Sequence, residues 1–250
     1  MSLFYLLPVL LQVLALVHFV KYRSASYIWL FIIIFLGPIG ALVYVIVEIL
    51  PEWRATHTSV GWLAKKKRLK YLEAVVEENP SAGNYEELAD LHLEQKNYAR
   101  ARECFDRAIS SRTDHADPFY GRALCSLHQG EYQAAIPDLE KAVSFDRKHD
   151  YGRALGLLAM CYARAGQRET AEKLFREALA TSTLSETQYN FACLLAELGR
   201  RDEARDWAKR ILNKQATLSG PLRRLERGWV KKSKDLLKEL ETPVKAGAAV

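Results

Sequence analysis

The first fifty residues almost lack charge. Lys21, Arg23 and Glu48 are the only charged side chains there, in a chain of 250 residues with 36 Lys and Arg and 30 Asp and Glu. Cysteine is also scarce. The four residues Cys104, Cys125, Cys161 and Cys193 show no Cys-x-x-Cys spacing, which excludes a disulfide-dense scaffold and argues against metal or redox chemistry. They read as small buried hydrophobes. Eight prolines and thirteen glycines exclude collagen-like and low-complexity classes. The chain has no Gly-x4-Gly-Lys phosphate loop, no Gly-x-Gly-x-x-Gly turn and no His-Glu-x-x-His pair. No catalytic constellation, metal set or cofactor motif stands out, so the sequence predicts a protein that is not an enzyme.

What is present is unevenly spread. The net charge of +6 divides into basic flanks and an acidic middle. Residues 51–70 hold Arg54, Lys65, Lys66, Lys67, Arg68 and Lys70 against Glu52. Residues 71–208 are net acidic, and residues 209–250 net basic. A basic chain suggests nucleic acid, but a basic block just after an apolar segment is explained more simply by anionic lipid and by topology. Nucleic acid is disfavoured on that ground. The basic rear residues Arg223, Arg224, Arg227, Lys231, Lys232, Lys234 and Lys238 read first as a solvated face.

Residues 3–20 and 28–47 contain no charge. As helices they extend roughly 27 and 30 Å, close to the thickness of a bilayer core. The short link between them predicts a transmembrane hairpin. Six basic residues after the second segment, against two in the link, place the remainder of the chain in the cytoplasm. Gly37, Gly40 and Ala41 fall on one helix face and admit a close neighbour, and Pro38 predicts a kink. His18 and Gln12 are the polar exceptions in the first segment, and His18 reads as interfacial.

The run Trp29-Leu30-Phe31, followed by Phe35-Leu36-Gly37-Pro38-Ile39-Gly40-Ala41-Leu42-Val43-Tyr44, resembles the two-helix module at the N-terminus of bacterial cardiolipin synthases, named after the phospholipase D nuclease N-terminus. The resemblance implies an anchor in a bacterial cytoplasmic membrane. It carries no catalysis, because no histidine is followed two residues later by lysine, as phospholipase D chemistry requires.

A second pattern occupies residues 82–218. Ala89, Ala101 and Ala108 recur as Ala123, Ala135 and Ala142, then as Ala159, Ala171 and Ala178, then as Ala192, Ala204 and Ile211. Spacings of twelve and seven hold in all four sets. Gly130, Gly166 and Gly199 mark the turns, and Phe105, Leu139 and Phe175 follow the second alanine of the first three sets. Gln188 and Ala208 depart from the pattern in the fourth. A 34-residue period of this kind resembles the tetratricopeptide repeat. The resemblance implies an α-solenoid of helix pairs whose ends need capping. Lys65–Glu78 is the expected front cap, with Leu69, Leu72 and Val76 on one face. The rear cap is expected to start at Pro221 and to pack through Leu222, Leu225 and Trp229.

The same resemblance implies a concave groove lined by the first helix of each repeat. The candidate partner-binding residues are Glu86, Asp90, Tyr120, Leu124, Arg153, Met160, Arg164 and Tyr189. The lysine and asparagine clamp by which some family members hold a peptide carboxylate is absent. Its positions hold Glu86, Asp90 and Gly121, with only Arg153 of the right charge.

These readings give an all-α chain. Residues 1–50 form a two-helix membrane anchor, 51–80 a basic linker and front cap, 81–218 about four repeats, and 219–250 a basic capping helix and tail. The expected function is a scaffold or assembly factor holding a protein partner at the cytoplasmic face of a bacterial inner membrane. The alternative is a lipid-directed accessory protein, whose hairpin and basic residues Lys65, Lys66, Lys67, Arg68 and Lys70 recognise anionic phospholipid.

Overall fold

The computed structural model describes residues 3–22, 28–49, 59–111 and 114–241. All regular structure among them is helical. The chain divides into two compact units, residues 1–67 and 68–250, each described here by itself.

In the first unit, α1 spans Leu3–Tyr22, α2 Ile28–Phe35 and α3 Gly37–Tyr44, followed by a π-helical turn at Val45–Ile49. Ala15, Phe19, Ile33, Ala41 and Tyr44 form its small core. The second apolar stretch is therefore not one helix. Gly37 adopts φ +58°, a left-handed conformation that glycine reaches without a Cβ penalty. The break takes the Gly37 N–H away from the carbonyl of Ile33, and Pro38 has no N–H to offer Ile34. Gln12 repairs part of the loss by donating its Nε2 to the Ile33 carbonyl at 3.0 Å. His18 Nδ1 lies 3.1 Å from the Tyr44 hydroxyl, so it has a specific partner within the unit.

This geometry corrects the expected hairpin. Two pieces of eight residues each extend only about 12 Å apiece, well short of a bilayer core. Among the described residues, no helix is long and apolar enough to cross a membrane. The transmembrane hairpin, the two integral spans and the multi-pass inner-membrane placement fall together. The link residues 23–27, including Arg23, lie outside the described residues.

Among the described residues, the second unit is built from α4 Ser59–Glu78, whose last eleven residues belong to it, and nine further helices. These are α5 Ala82–Glu94, α6 Tyr98–Ser111, α7 Asp117–His128, α8 Tyr132–Phe145, α9 His149–Arg164, α10 Arg168–Thr181, α11 Ser185–Glu197, α12 Arg201–Thr217 and α13 Gly220–Glu241. Consecutive helices pack as pairs: α5 with α6, α7 with α8, α9 with α10, and α11 with α12. The twelve aligned positions, eleven alanines and Ile211, are each at most 1% exposed. That burial is the physical meaning of the repeat: a methyl group at each crossing lets two helix backbones approach. Phe105, Leu139 and Phe175 fill the space beside them. In the fourth pair the matching position is Ala208, fully buried, and Trp207 meets Phe191 edge-on at 5.5 Å between ring centroids.

Each of the first three pairs turns through one left-handed residue, Lys96, Gly130 and Gly166, and Gly199 does the same in the fourth. At the front, Leu72 is buried against Leu88 and Leu91, with Leu69 and Val76 beside it. Asn79-Pro80 ends α4, and Ser81 starts α5 as its N-cap, accepting a bond from the Asn84 N–H at 3.4 Å.

The rear helix packs differently from the sequence expectation. Leu222 and Leu225 are exposed, at 48% and 77%. The buried stripe of α13 is Val230, Ser233, Leu236 and Leu240, joined by the half-buried Trp229 and Leu237. Ser233 sits in that stripe because its hydroxyl donates to the Trp229 carbonyl at 2.8 Å within the helix, which removes the penalty of burying it. Arg201 closes the far end by donating Nη2 to the Leu240 carbonyl at 2.8 Å.

Candidate functional site

First helices of neighbouring repeats touch one another, α5 against α7 and α9 against α11. Tyr120 of α7 is hydrogen-bonded to Asp150 and Arg153 of α9, and all eight expected residues are carried by these four helices. The structure sorts those residues into three groups.

The first group is acidic. Glu86 lies 3.2 Å from His115 Nε2, and Asp117 lies 3.5 Å from its Nδ1. Asp90, one turn after Glu86, reaches solvent but is shielded on one side. Desolvation, and then the charges of Glu86, Asp117, Glu94 and Glu87, push its carboxyl up to about 6.

The second group is a hydrogen-bonded network between repeats two and four. The Tyr120 hydroxyl donates to Asp150 Oδ2 at 2.6 Å. Arg153 donates its Nε to Glu186 at 2.6 Å and its Nη1 to the Tyr120 hydroxyl at 3.3 Å. Burial is the largest influence on Arg153 and opposes its charge, but the bond to Glu186 together with the charges of Tyr120, Glu186 and Asp150 outweighs it, so the guanidinium stays above its usual range. Burial and the bond to Asp150 likewise hold the Tyr120 phenol proton firmly. Tyr120 is therefore a core residue, 8% exposed, where the sequence pattern placed it on an open groove. The reason lies in the turn at Asp150, Tyr151 and Gly152, whose φ values of 49°, 55° and 80° swing the Asp150 carboxylate onto the phenol. No sequence signal announces three successive left-handed residues.

The third group is a recess between α9 and α11. Met160, Arg164 and Tyr189 line it together with Asn190, Cys193 and Glu197. Leu124, on α7, is half-buried and packs against the same core cluster as Met160. Cys193, read from sequence as plain core, is only partly buried. Burial raises its thiol above the usual range, and a bond with Tyr189 works in the opposite direction. Tyr189 is itself pushed up to about 12, mainly by burial. Trp229 of α13 covers one side of Tyr189, with ring centroids 5.8 Å apart. The apolar strip expected from Tyr120, Leu124, Met160 and Tyr189 is thus interrupted, at one end by the Tyr120 network and at the other by the rear helix.

The basic residues Lys65, Lys66, Lys67, Arg68 and Lys70 are exposed on α4. Arg68 pairs with Glu87 at 2.5 Å. With the spanning hairpin gone, the lipid-directed role that joined them to it is withdrawn. No group of His, Cys, Asp or Glu among the described residues could hold a metal ion.

Comparison with known proteins agrees with the repeat. Residues 86–150 and 126–190 match two models of the tetratricopeptide repeat. No curated protein matches the chain. Among solved structures, the chain is similar to YrrB, described as a tetratricopeptide-repeat protein with an unusual peptide-binding site, at 18% identity and TM-score 0.55, over 67% of this chain and 86% of that one. It is similar to PilW, described as a widely conserved type IV pilus biogenesis factor, at 16% identity and TM-score 0.55, over 73% and 87%. It is also similar to pilF of Pseudomonas aeruginosa, at 18% identity and TM-score 0.52, over 73% and 88%. The matched family lies in the repeats, and the resemblance of residues 3–50 to the phospholipase D nuclease N-terminus is not upheld, because its Gly-Pro-x-Gly-Ala motif marks a helix break and not a span. Residues 86–190 match the tetratricopeptide repeat, and the paired helices α5–α12 stack as an α-solenoid similar to those solved structures.

Proposed function

We propose that this chain is a protein-binding scaffold whose working surface is the inner face formed by α5, α7, α9 and α11. One observation carries the reading: Met160, Arg164 and Tyr189, drawn from two different repeats, converge with Asn190 and Cys193 on a single recess. Repeat surfaces bind partner segments through a few anchors in such depressions, and a protein of similar fold is described as having a peptide-binding site. Leu124, Met160, Arg164 and Tyr189 are the residues assigned to contact. Glu86 and Asp90 set the charge of the front part of the face. Tyr120 and Arg153 act from beneath, by fixing the spacing of α7, α9 and α11.

The test is co-purification of the native partner with the full chain carrying Leu124→Arg and Met160→Arg together. Recovery should be lost while the helical circular dichroism signal is retained. Undiminished recovery with a folded double variant would move the working surface elsewhere.

A further inference from the structure

The recess between α9 and α11 has a volume of about 80 Å³. A single water needs roughly 10–15 Å³ on such a measure, and an apolar cavity of about 150 Å³ accommodates benzene. The recess is therefore the size of three or four carbons, the end of one aliphatic side chain, and too small for an indole. Phe175 and Leu194 are at most 2% exposed and close its floor, beside Met160. Its upper wall is polar. Asn190 contributes a carboxamide, Arg164 stands on the α9 side, and Glu197 stands on the α11 side, both charges exposed. A shallow apolar floor between one cation and one anion is complementary to a segment with an apolar centre and two opposite charges.

Resting on the reading of the inner face as the working surface, we infer that the recess seats one aliphatic side chain of an extended partner segment. That side chain is Val, Leu, Ile or Met. An acidic residue of the segment meets Arg164, and a basic residue on its other side meets Glu197. The carboxamide of Asn190 is the polar group placed to bond the segment's backbone. Cys193 reports occupancy, because its partly buried side chain lines the recess and becomes fully covered when a side chain enters.

The experiment uses the full chain and short synthetic peptides with one central residue X between a glutamate and a lysine. X is Ala, Val, Leu, Met or Trp, and binding is read by fluorescence anisotropy. Alkylation of Cys193 by iodoacetamide is followed by mass spectrometry, with Cys104 as the internal control. Val, Leu and Met peptides should bind about tenfold or more tightly than Ala or Trp peptides, the range that pocket filling gives. Saturation should slow alkylation of Cys193 and leave Cys104 unchanged. Cys193→Leu, which fills the recess, should abolish the preference for X, and Arg164→Glu should transfer the preference from an acidic to a basic flank. Binding that ignores X, or an unchanged Cys193 rate, overturns the inference. Peptide binding that Leu124→Arg weakens and Cys193→Leu does not would leave the inner face as the working surface and remove the recess. Binding insensitive to both, or no binding by any peptide, would contradict both readings. Self-association lost in Cys193→Leu would show that a second copy of the chain fills the recess, and would overturn the inference too.

Discussion

Lys96 and Gly130 occupy the same place in successive repeats, 34 residues apart, and the same left-handed turn. Their φ values are 61° and 79°. Each closes its helix by donating its backbone N–H three residues back, Lys96 to Leu93 at 2.9 Å and Gly130 to Leu127 at 3.1 Å. The backbone requirement is identical, and only the second residue meets it without a Cβ. Left-handed backbone is disfavoured by roughly 1–2 kcal/mol for a residue with a side chain. Lys96→Gly should therefore stabilise the repeat unit by about 1 kcal/mol, and thermal unfolding followed by circular dichroism should show a melting point higher by a few degrees. A lower melting point would mean that the Lys96 side chain contributes more than its backbone strain removes.

Asp90 gives a pH-dependent prediction. Its folded carboxyl is raised to about 6 from the ordinary 3.8, so the folded state prefers it protonated. A raised carboxylate weakens folding above its folded value, and the deficit disappears as pH falls towards its unfolded value. Asp90→Asn should accordingly stabilise the protein at pH 7 and 8. The advantage should shrink as pH falls through 6 and vanish near 4. Paired denaturant titrations of the two proteins across that range measure the difference, and an advantage constant with pH would contradict the assignment.

Ala135 tests the repeat packing. It is fully buried at a helix crossing, with no space for added methylene groups. Ala135→Leu should overpack the crossing and destabilise by roughly 1–3 kcal/mol. Equal melting temperatures for the variant and the parent would contradict the packing assigned to the alanine positions.

The rear helix separates two accounts of its packing. Leu236 is buried and Leu225 is exposed. Leu236→Ala should cost about 2–5 kcal/mol, and Leu225→Ala should fall within roughly 0.5 kcal/mol of the parent. The opposite order of the two melting temperatures would restore the face through Leu222, Leu225 and Trp229 that the spacing suggested.

The repeat was legible because burial at a helix crossing demands a small residue, and a demand repeated at fixed geometry leaves a fixed spacing. The alanine sets from Ala89 to Ala204 are that demand written in sequence, and they located every helix pair. The face of α13 was not legible, because Ser233 interrupts its buried stripe and the polarity test misses a hydroxyl satisfied by its own helix. Apolar content alone also misjudged residues 28–47. Absence of charge implies one continuous helix, whereas Gly37 and Pro38 together break it. Repeat register puts Met160, Arg164 and Tyr189 on neighbouring first helices, and one recess is lined by all three. Tyr120 was misplaced because its partner, Asp150, lies in a turn with no residue pattern that marks it. Cys193 was missed because small size suggested only core.

Engagement of a protein partner by the inner face of the repeats can be read out by site-specific photo-crosslinking in living cells, with a benzophenone side chain placed at Leu124 on the inner face, or at Arg107, which is exposed on the second helix of the first pair. A discrete protein adduct is expected from position 124 and none from position 107. An adduct from position 107 alone, or none from position 124, would exclude the inner face as the binding surface.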